Sequence, residues 1–246
     1  MPANKTTRLG LLTDLHYDGG AQAMNRLYEA IAALNAGDVA GLLLMGDLAN
    51  GNSESHAKRL LREVSALCDG FNGPVWYMPG NHDLDHLSKA QFYLALGHAG
   101  APSRFHFELG GYGFICLDAN FRPDGVAYDH GNFEWPSAAV PAEQLDWLRG
   151  RLAASLLPVV VVSHQRIDKA CTHAVRNLAE VRELFSLAGK VKAVVQGHNH
   201  TDDLLQVDGV PCYTLSAHVD DAGPAVLELG AKGIRLLRDF RPAGTD

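Results

Sequence analysis

Leu9-Gly10-Leu11-Leu12-Thr13-Asp14-Leu15-His16 is the stretch on which the fold turns: an apolar run of strand length that ends in a carboxylate and an imidazole. The same construction recurs four times. Residues 39–45 run into Gly46-Asp47, and residues 74–78 into Pro79-Gly80-Asn81-His82-Asp83. Residues 159–162 run into Ser163-His164, and residues 191–195 into Gln196-Gly197-His198-Asn199-His200. Helical patterns separate the runs. Met24, Leu27, Ile31 and Leu34 carry helical spacing over about residues 21–35, and Ser53 stands as the N-cap of a segment bearing Leu60, Leu61, Val64 and Leu67. Pro141-Ala142-Glu143 opens a helix with Leu145, Leu148 and Leu152, and residues 175–188 read as another. Residues 105–109 and 114–117, joined by Gly110-Gly111-Tyr112-Gly113, read as a hairpin. The β-branched run 159–162 suits a central strand covered on both faces. From Leu204 on, short strands alternate with turns at Asp208-Gly209, Ala222-Gly223-Pro224 and Ala231-Lys232-Gly233. Strand–helix alternation followed by an all-β tail predicts a layered α/β domain with a second sheet.

Composition narrows the function. The 246 residues suit one domain, 1–246, with 47% apolar and 20% charged residues and a net charge of −7. An acidic chain without a basic tract is not expected to hold nucleic acid through its phosphates. No apolar run approaches membrane-spanning length, and the short polar start shows no signal-peptide pattern. The four cysteines are far apart without CxxC spacing, as expected of buried, reduced thiols in a cytoplasmic protein. The unusual count is 12 histidines.

Ligands of open α/β sheets gather beyond the carboxyl ends of the strands, so the five strand ends converge on one rim. Asp14, His16, Asp47, Asn81, His164, His198 and His200 offer carboxylate, amide and imidazole donors without a thiolate, a set that suits Mn, Fe, Zn or Co. Seven donors exceed one ion's needs. Two ions about 3.5–4 Å apart, sharing a bridging carboxylate, use them all. On extended backbone Asp-x-His and His-x-His each point both side chains the same way. Gly46, Gly80 and Gly197 supply tight turns just before the ligands.

The five blocks, in order across residues 14–200, resemble the calcineurin-like metallophosphoesterase family, with its D-x-H, GD, GNH-D/E, lone H and GH-x-H. The resemblance implies a four-layer α-β-β-α sandwich of two mixed sheets flanked by helices. It implies that Asp14, His16 and His200 hold one metal, that Asn81, His164 and His198 hold the second, and that Asp47 bridges. His82, oriented by Asp83, is implied as the group that hydrogen-bonds the phosphoryl oxygen or protonates the leaving group. The implied nucleophile is a metal-bound hydroxide attacking phosphorus in line. Gly46-Asp47-Leu48-Ala49-Asn50-Gly51 lacks the Arg that protein Ser/Thr phosphatases carry after GD. Purple acid phosphatases place Tyr where Asn50 stands, and lack the equivalent of His16. What remains resembles the bacterial-type branch: class III cyclic-nucleotide phosphodiesterases, glycerophosphodiesterases and manganese-dependent ADP-ribose/CDP-alcohol diphosphatases.

The expected activity is hydrolysis of a phosphodiester or pyrophosphate bond in a small, nucleotide-like substrate. A phosphomonoesterase is the alternative, and a nuclease and a non-catalytic scaffold are the remote ones. The irregular stretch 118–140 holds Phe121, Arg122, Tyr128, Phe133 and Trp135. A loop this long is a candidate cover for the site, with Arg122 a candidate phosphate contact. Trp135 reads more as packing than as a platform. Among the remaining histidines, His218 is a candidate for the rim, while His173 and the others read as surface or supporting residues. Asp18 reads as a solvated loop acid.

Overall fold

The computed structural model describes residues 6–242. Eleven strands form two sheets among the described residues. β1 (Thr7–Leu12), β2 (Gly41–Met45) and β3 (Val75–Met78) run parallel, and β10 (Ala225–Gly230) and β11 (Gly233–Leu237) extend that sheet antiparallel, in the order β11-β10-β1-β2-β3. The second sheet is ordered β4-β5-β6-β7-β9-β8. It comprises β4 (Phe105–Leu109), β5 (Tyr112–Leu117), β6 (Val159–Ser163), β7 (Val191–Gln196), β8 (Asp203–Val207) and β9 (Val210–Thr214). Its four inner strands β5, β6, β7 and β9 are parallel.

Three apolar clusters define four layers. One lies between the sheets: Leu9, Leu11, Leu43 and Met45 of the first meet Phe114, Val160, Val162, Ala193 and Val195 of the second. A second joins the outer face of the first sheet to α1 (Ala21–Ala36), α2 (Glu54–Cys68) and α3 (Lys89–Ala95). A third joins the outer face of the second sheet to α4 (Ala142–Ala154) and α5 (Leu178–Ala188). The strands buried on both faces are the uninterrupted runs, as parallel strands between layers require. The expected four-layer sandwich of two mixed sheets is present.

Three details depart from expectation. The β tail does not build the second sheet by itself: β8 and β9 join one sheet, β10 and β11 the other. The α5 helix begins at Leu178 rather than near 175, because Val175 N–H donates to Arg166 O and Arg176 N–H to Ala138 O, which holds that segment outside the helix. The short α3, unforeseen in the sequence, starts at Ser88, which closes a capping box with Gln91. Cys68, Cys116 and Cys212 are buried and free, while Cys171 is exposed. Among the described residues no helix is long and apolar enough to cross a membrane.

Candidate metal centre

All five strand ends meet at one end of the sandwich. β1 delivers Asp14 and His16, β2 Asp47 and β3 Asn81 from one sheet; β6 delivers His164 and β7 His198 and His200 from the other. Two donor groups result, Asp14–His16–His200 and Asp47–His164–His198, with ligand atoms in each within 4.8 Å of one another. Asp47 faces both: its Oδ2 is 3.3 Å from His164 Nε2 and 3.8 Å from His16 Nε2. His200 Nε2 is 3.5 Å from Asp14 Oδ1 and 3.2 Å from His16 Nε2.

The unused atoms show what the arrangement accepts. Asp14 Oδ1, Asn81 Oδ1, His164 Nε2 and His198 Nε2 are buried and lack any hydrogen-bond partner. Each such orphan costs about 1–3 kcal/mol. Elsewhere these side chains are anchored. Asp14 Oδ2 accepts from Thr13 Oγ1 at 2.6 Å and from His198 N–H at 3.1 Å. His164 Nδ1 donates to Met45 O at 2.9 Å, which turns Nε2 toward Asp47. Oxygen and nitrogen donors aimed at two common points fit a pair of divalent transition ions.

The backbone achieves this convergence in an unforeseen way. Asp14, His16, Asp47, His198 and His200 adopt left-handed φ values of 53°, 40°, 52°, 66° and 55°. The Asp-x-His and His-x-His pairs therefore curl, and the expected extended conformation is incorrect. Asp14 N–H and His16 N–H donate to Gly46 O and Asp47 O, both at 3.0 Å, so the curled chain of one strand end is held by the next. Non-glycine residues rarely occupy this region, and clusters of them mark functional sites. Of the preceding glycines, Gly46 has φ 103°. Gly80 and Gly197 are there for space: a Cβ on Gly80 would lie 2.1 Å from Asp47 Oδ1, and one on Gly197 2.2 Å from Thr13 Oγ1.

Electrostatics separate the imidazoles. Burial, then the neighbouring His164, pushes His198 down to about 3, so it is a neutral ring. Burial also lowers His164, but Asp47 outweighs it and raises the group to about 9. Burial pushes Asp47 up, yet His164 and the other imidazoles hold it well below the carboxylate range.

His82 stands at the mouth, its N–H donating to Asp47 Oδ1 at 2.8 Å and its ring 5.2 Å from that of His16. The expectation that Asp83 orients it is corrected. Asp83 points inward and accepts from Leu48, Ala49 and Gly80 N–H, at 2.9, 3.1 and 2.9 Å. Burial and the charge of Asp47 raise it to about 7. The partner of His82 Nδ1 is Asp85 Oδ2 at 2.9 Å, whose hydrogen bond raises His82 to about 9. The cause is the 3₁₀ turn His82–Leu84, in which residues three apart lie one above the other while neighbours diverge.

Two candidates fall outside the donor groups. The Arg122 guanidinium is engaged within its own loop, by Asp124 Oδ2 at 2.6 Å and Asn132 O at 3.4 Å. His218 is buried behind the rim: its N–H donates to Thr13 O at 3.0 Å and its Nδ1 to Ala222 O at 2.8 Å, so it props the end of β1. Asp18 accepts from Gly20 N–H where α1 begins. Four residues at the centre escaped the sequence reading as functional: Asp85, Asp220 (Oδ2 3.1 Å from His200 Nδ1), Trp135 and His173. Trp135 and His173 lie with ring centroids 5.5 and 5.1 Å from that of His198. Only the aromatic content of the 118–140 loop hinted at any of them.

A two-sheet sandwich with paired donor groups at the strand ends defines a class, the metal-dependent phosphoesterases. The chain belongs to the calcineurin-like phosphoesterase family, which it matches over residues 7–202. It is 26% identical over 241 residues to a "Probable cyclic nucleotide phosphodiesterase" of Rhodococcus erythropolis, covering 91% of this chain and 74% of that protein. A second protein named in this way, from Fibrobacter succinogenes, is 23% identical over 223 residues, 85% of this chain and 78% of its own. Among solved structures, a dimetal phosphatase from Danio rerio superposes with a TM-score of 0.76 at 17% identity, covering 96% of this chain and 99% of that one.

Proposed function

We propose that the protein hydrolyses a phosphodiester or pyrophosphate bond in a small, nucleotide-like substrate at a dinuclear metal centre. The observation that carries this is the convergence of four orphaned, buried donor atoms from both sheets. Asp14, His16 and His200 would hold one ion, Asn81, His164 and His198 the other, with Asp47 shared. Two such ions supply Lewis-acid charge and a water of lowered pKa. The residues do the rest. His82, tied to Asp85, presents a proton at the open mouth, where it serves the phosphoryl oxygen or the leaving group. Asp83 fixes the backbone just after Asp47 and just before Asn81 through its three N–H contacts.

The preference for a diester follows from charge. Among the described residues no Lys or Arg hydrogen-bonds or ion-pairs with a member of either donor group. A singly charged diester needs less compensation there than a doubly charged monoester. The names of the bacterial relatives support the same class. The test is hydrolysis of bis-p-nitrophenyl phosphate with Mn²⁺, abolished by a chelator and restored by added metal, against the rate on p-nitrophenyl phosphate. A faster rate on the monoester selects the phosphomonoesterase instead. Metal-loaded protein inert on monoesters, diesters and pyrophosphates overturns the reading.

A further inference from the structure

Trp135 and His173 come from two separate irregular segments, yet their rings meet 5.3 Å apart at the side of His198. Both are held from behind. The root of the 118–140 loop is tied to the strand ends themselves: Asn120 Nδ2 donates to Pro79 O at 2.8 Å, and Gln165 Nε2 to Asn120 Oδ1 at 2.7 Å. Ala139 N–H donates to Phe121 O and Arg176 N–H to Ala138 O, both at 2.8 Å, which fixes the short turn Trp135–Ser137. On the other side Arg166 N–H donates to His173 O at 3.0 Å, and the Arg166 guanidinium is buried between Asp168 and Asp203. The supports are thus tied down, but Trp135 itself is left 39% exposed. By contrast, Trp76 lies stacked on Phe107 between the sheets, and Trp147 packs under the cation of Arg104. A large flat apolar ring carried on a tied loop and left open beside a donor group is suited to stacking, not to core packing.

Resting on the phosphodiesterase reading, we propose that the Trp135–His173 pair is a specificity wall that stacks on the planar heterocycle of the substrate, so that nucleobase-bearing diesters are selected over alkyl diesters. His173 backs the indole and sets its tilt; the exposed part of the indole meets the base. Arg166 acts only as a positioning residue behind the wall.

The test compares cyclic AMP with glycerophosphoethanolamine on the Mn-loaded protein and its Trp135→Ala and Trp135→Phe variants. The ratio of kcat/KM for the nucleotide over the alkyl diester falls about tenfold in Trp135→Ala, the size of one base–aromatic stack, and is largely regained in Trp135→Phe. An equal fall on both substrates, or a loss of bound metal in Trp135→Ala, overturns the wall and makes the indole a support for His198. A binding readout separates this from the proposed reaction. AMP, but not ribose 5-phosphate, quenches the tryptophan fluorescence of the wild type, and Trp135→Phe removes that quenching. If the metal-loaded wild type is inert on monoesters, diesters and pyrophosphates yet AMP quenches Trp135, the proposed function fails and the wall stands. If it hydrolyses both diesters and AMP leaves Trp135 unquenched, the wall fails and the reading stands.

Discussion

The two donor groups are built from the same residue types but differ in how they are held. Asp47, His164 and His198 are buried, and His164 is pinned by a backbone carbonyl before anything binds. In the other group Asp14 is buried, but His16 and His200 reach toward solvent, and the outer nitrogen of His200, Nδ1, is steadied by the exposed Asp220. One group is preorganised by the fold; the other is completed by contacts at its edge. Such outer contacts are where second partners tune ligand orientation. Affinity and exchange at the two positions should therefore differ, with the open group the first to empty.

The largest effect is expected where the groups meet. Asp47→Asn removes the shared carboxylate, so bound Mn falls at both positions and the rate on bis-p-nitrophenyl phosphate drops by about 10³-fold or more. Elemental analysis alongside kinetics checks it, and loss of only one ion breaks the symmetry assigned to Asp47. Next, His82→Ala should leave metal content near wild type and lower kcat by about 10²–10⁴-fold. Emptying of the centre would instead make His82 structural. Asp85→Asn should do the same in milder form. Asp220→Ala then sharpens the contrast: affinity at the open group weakens by about 10–100-fold while the buried group keeps its ion, visible as one strong and one weak site in a metal titration.

The smallest effect concerns the support on the buried side. Lys169 and then Arg166 hold the Asp203 carboxyl down to about 2, against its ordinary 3.8. A carboxyl lowered in the folded protein contributes stability that is present above about pH 4 and is lost as pH falls through about 2. Acid unfolding of Asp203→Asn between these limits should therefore be slightly shallower than that of the wild type. An identical profile would remove Asp203 from the account.

What the sequence made legible was whatever its chemistry placed next to a strand. Asp14, Asp47, Asn81, His164 and His198 each follow an apolar run, and the parallel order of the strands does the gathering. Asp85, Asp220, Trp135 and His173 carry no such signal, because their closeness to the centre depends on turns and on loop-to-loop hydrogen bonds between distant segments. Asp83 was misread for a related reason: adjacency in sequence stood in for adjacency in space, and the 3₁₀ turn gives the place beside His82 to the residue three positions on. The left-handed conformation of the ligand pairs was equally hidden, since Asp and His tolerate it without announcing it.

Each donor group draws on both sheets of the sandwich: Asp14 and His16 face His200, and Asp47 faces His164 and His198. Whatever occupies them is a rivet through the seam. The molecule then has two fastenings of different kinds between its sheets, an oily interlayer along their length and a polar clasp at one end. Undoing the clasp would leave the layers joined but freer to slide, so the loaded and stripped forms should differ in stiffness before they differ in shape.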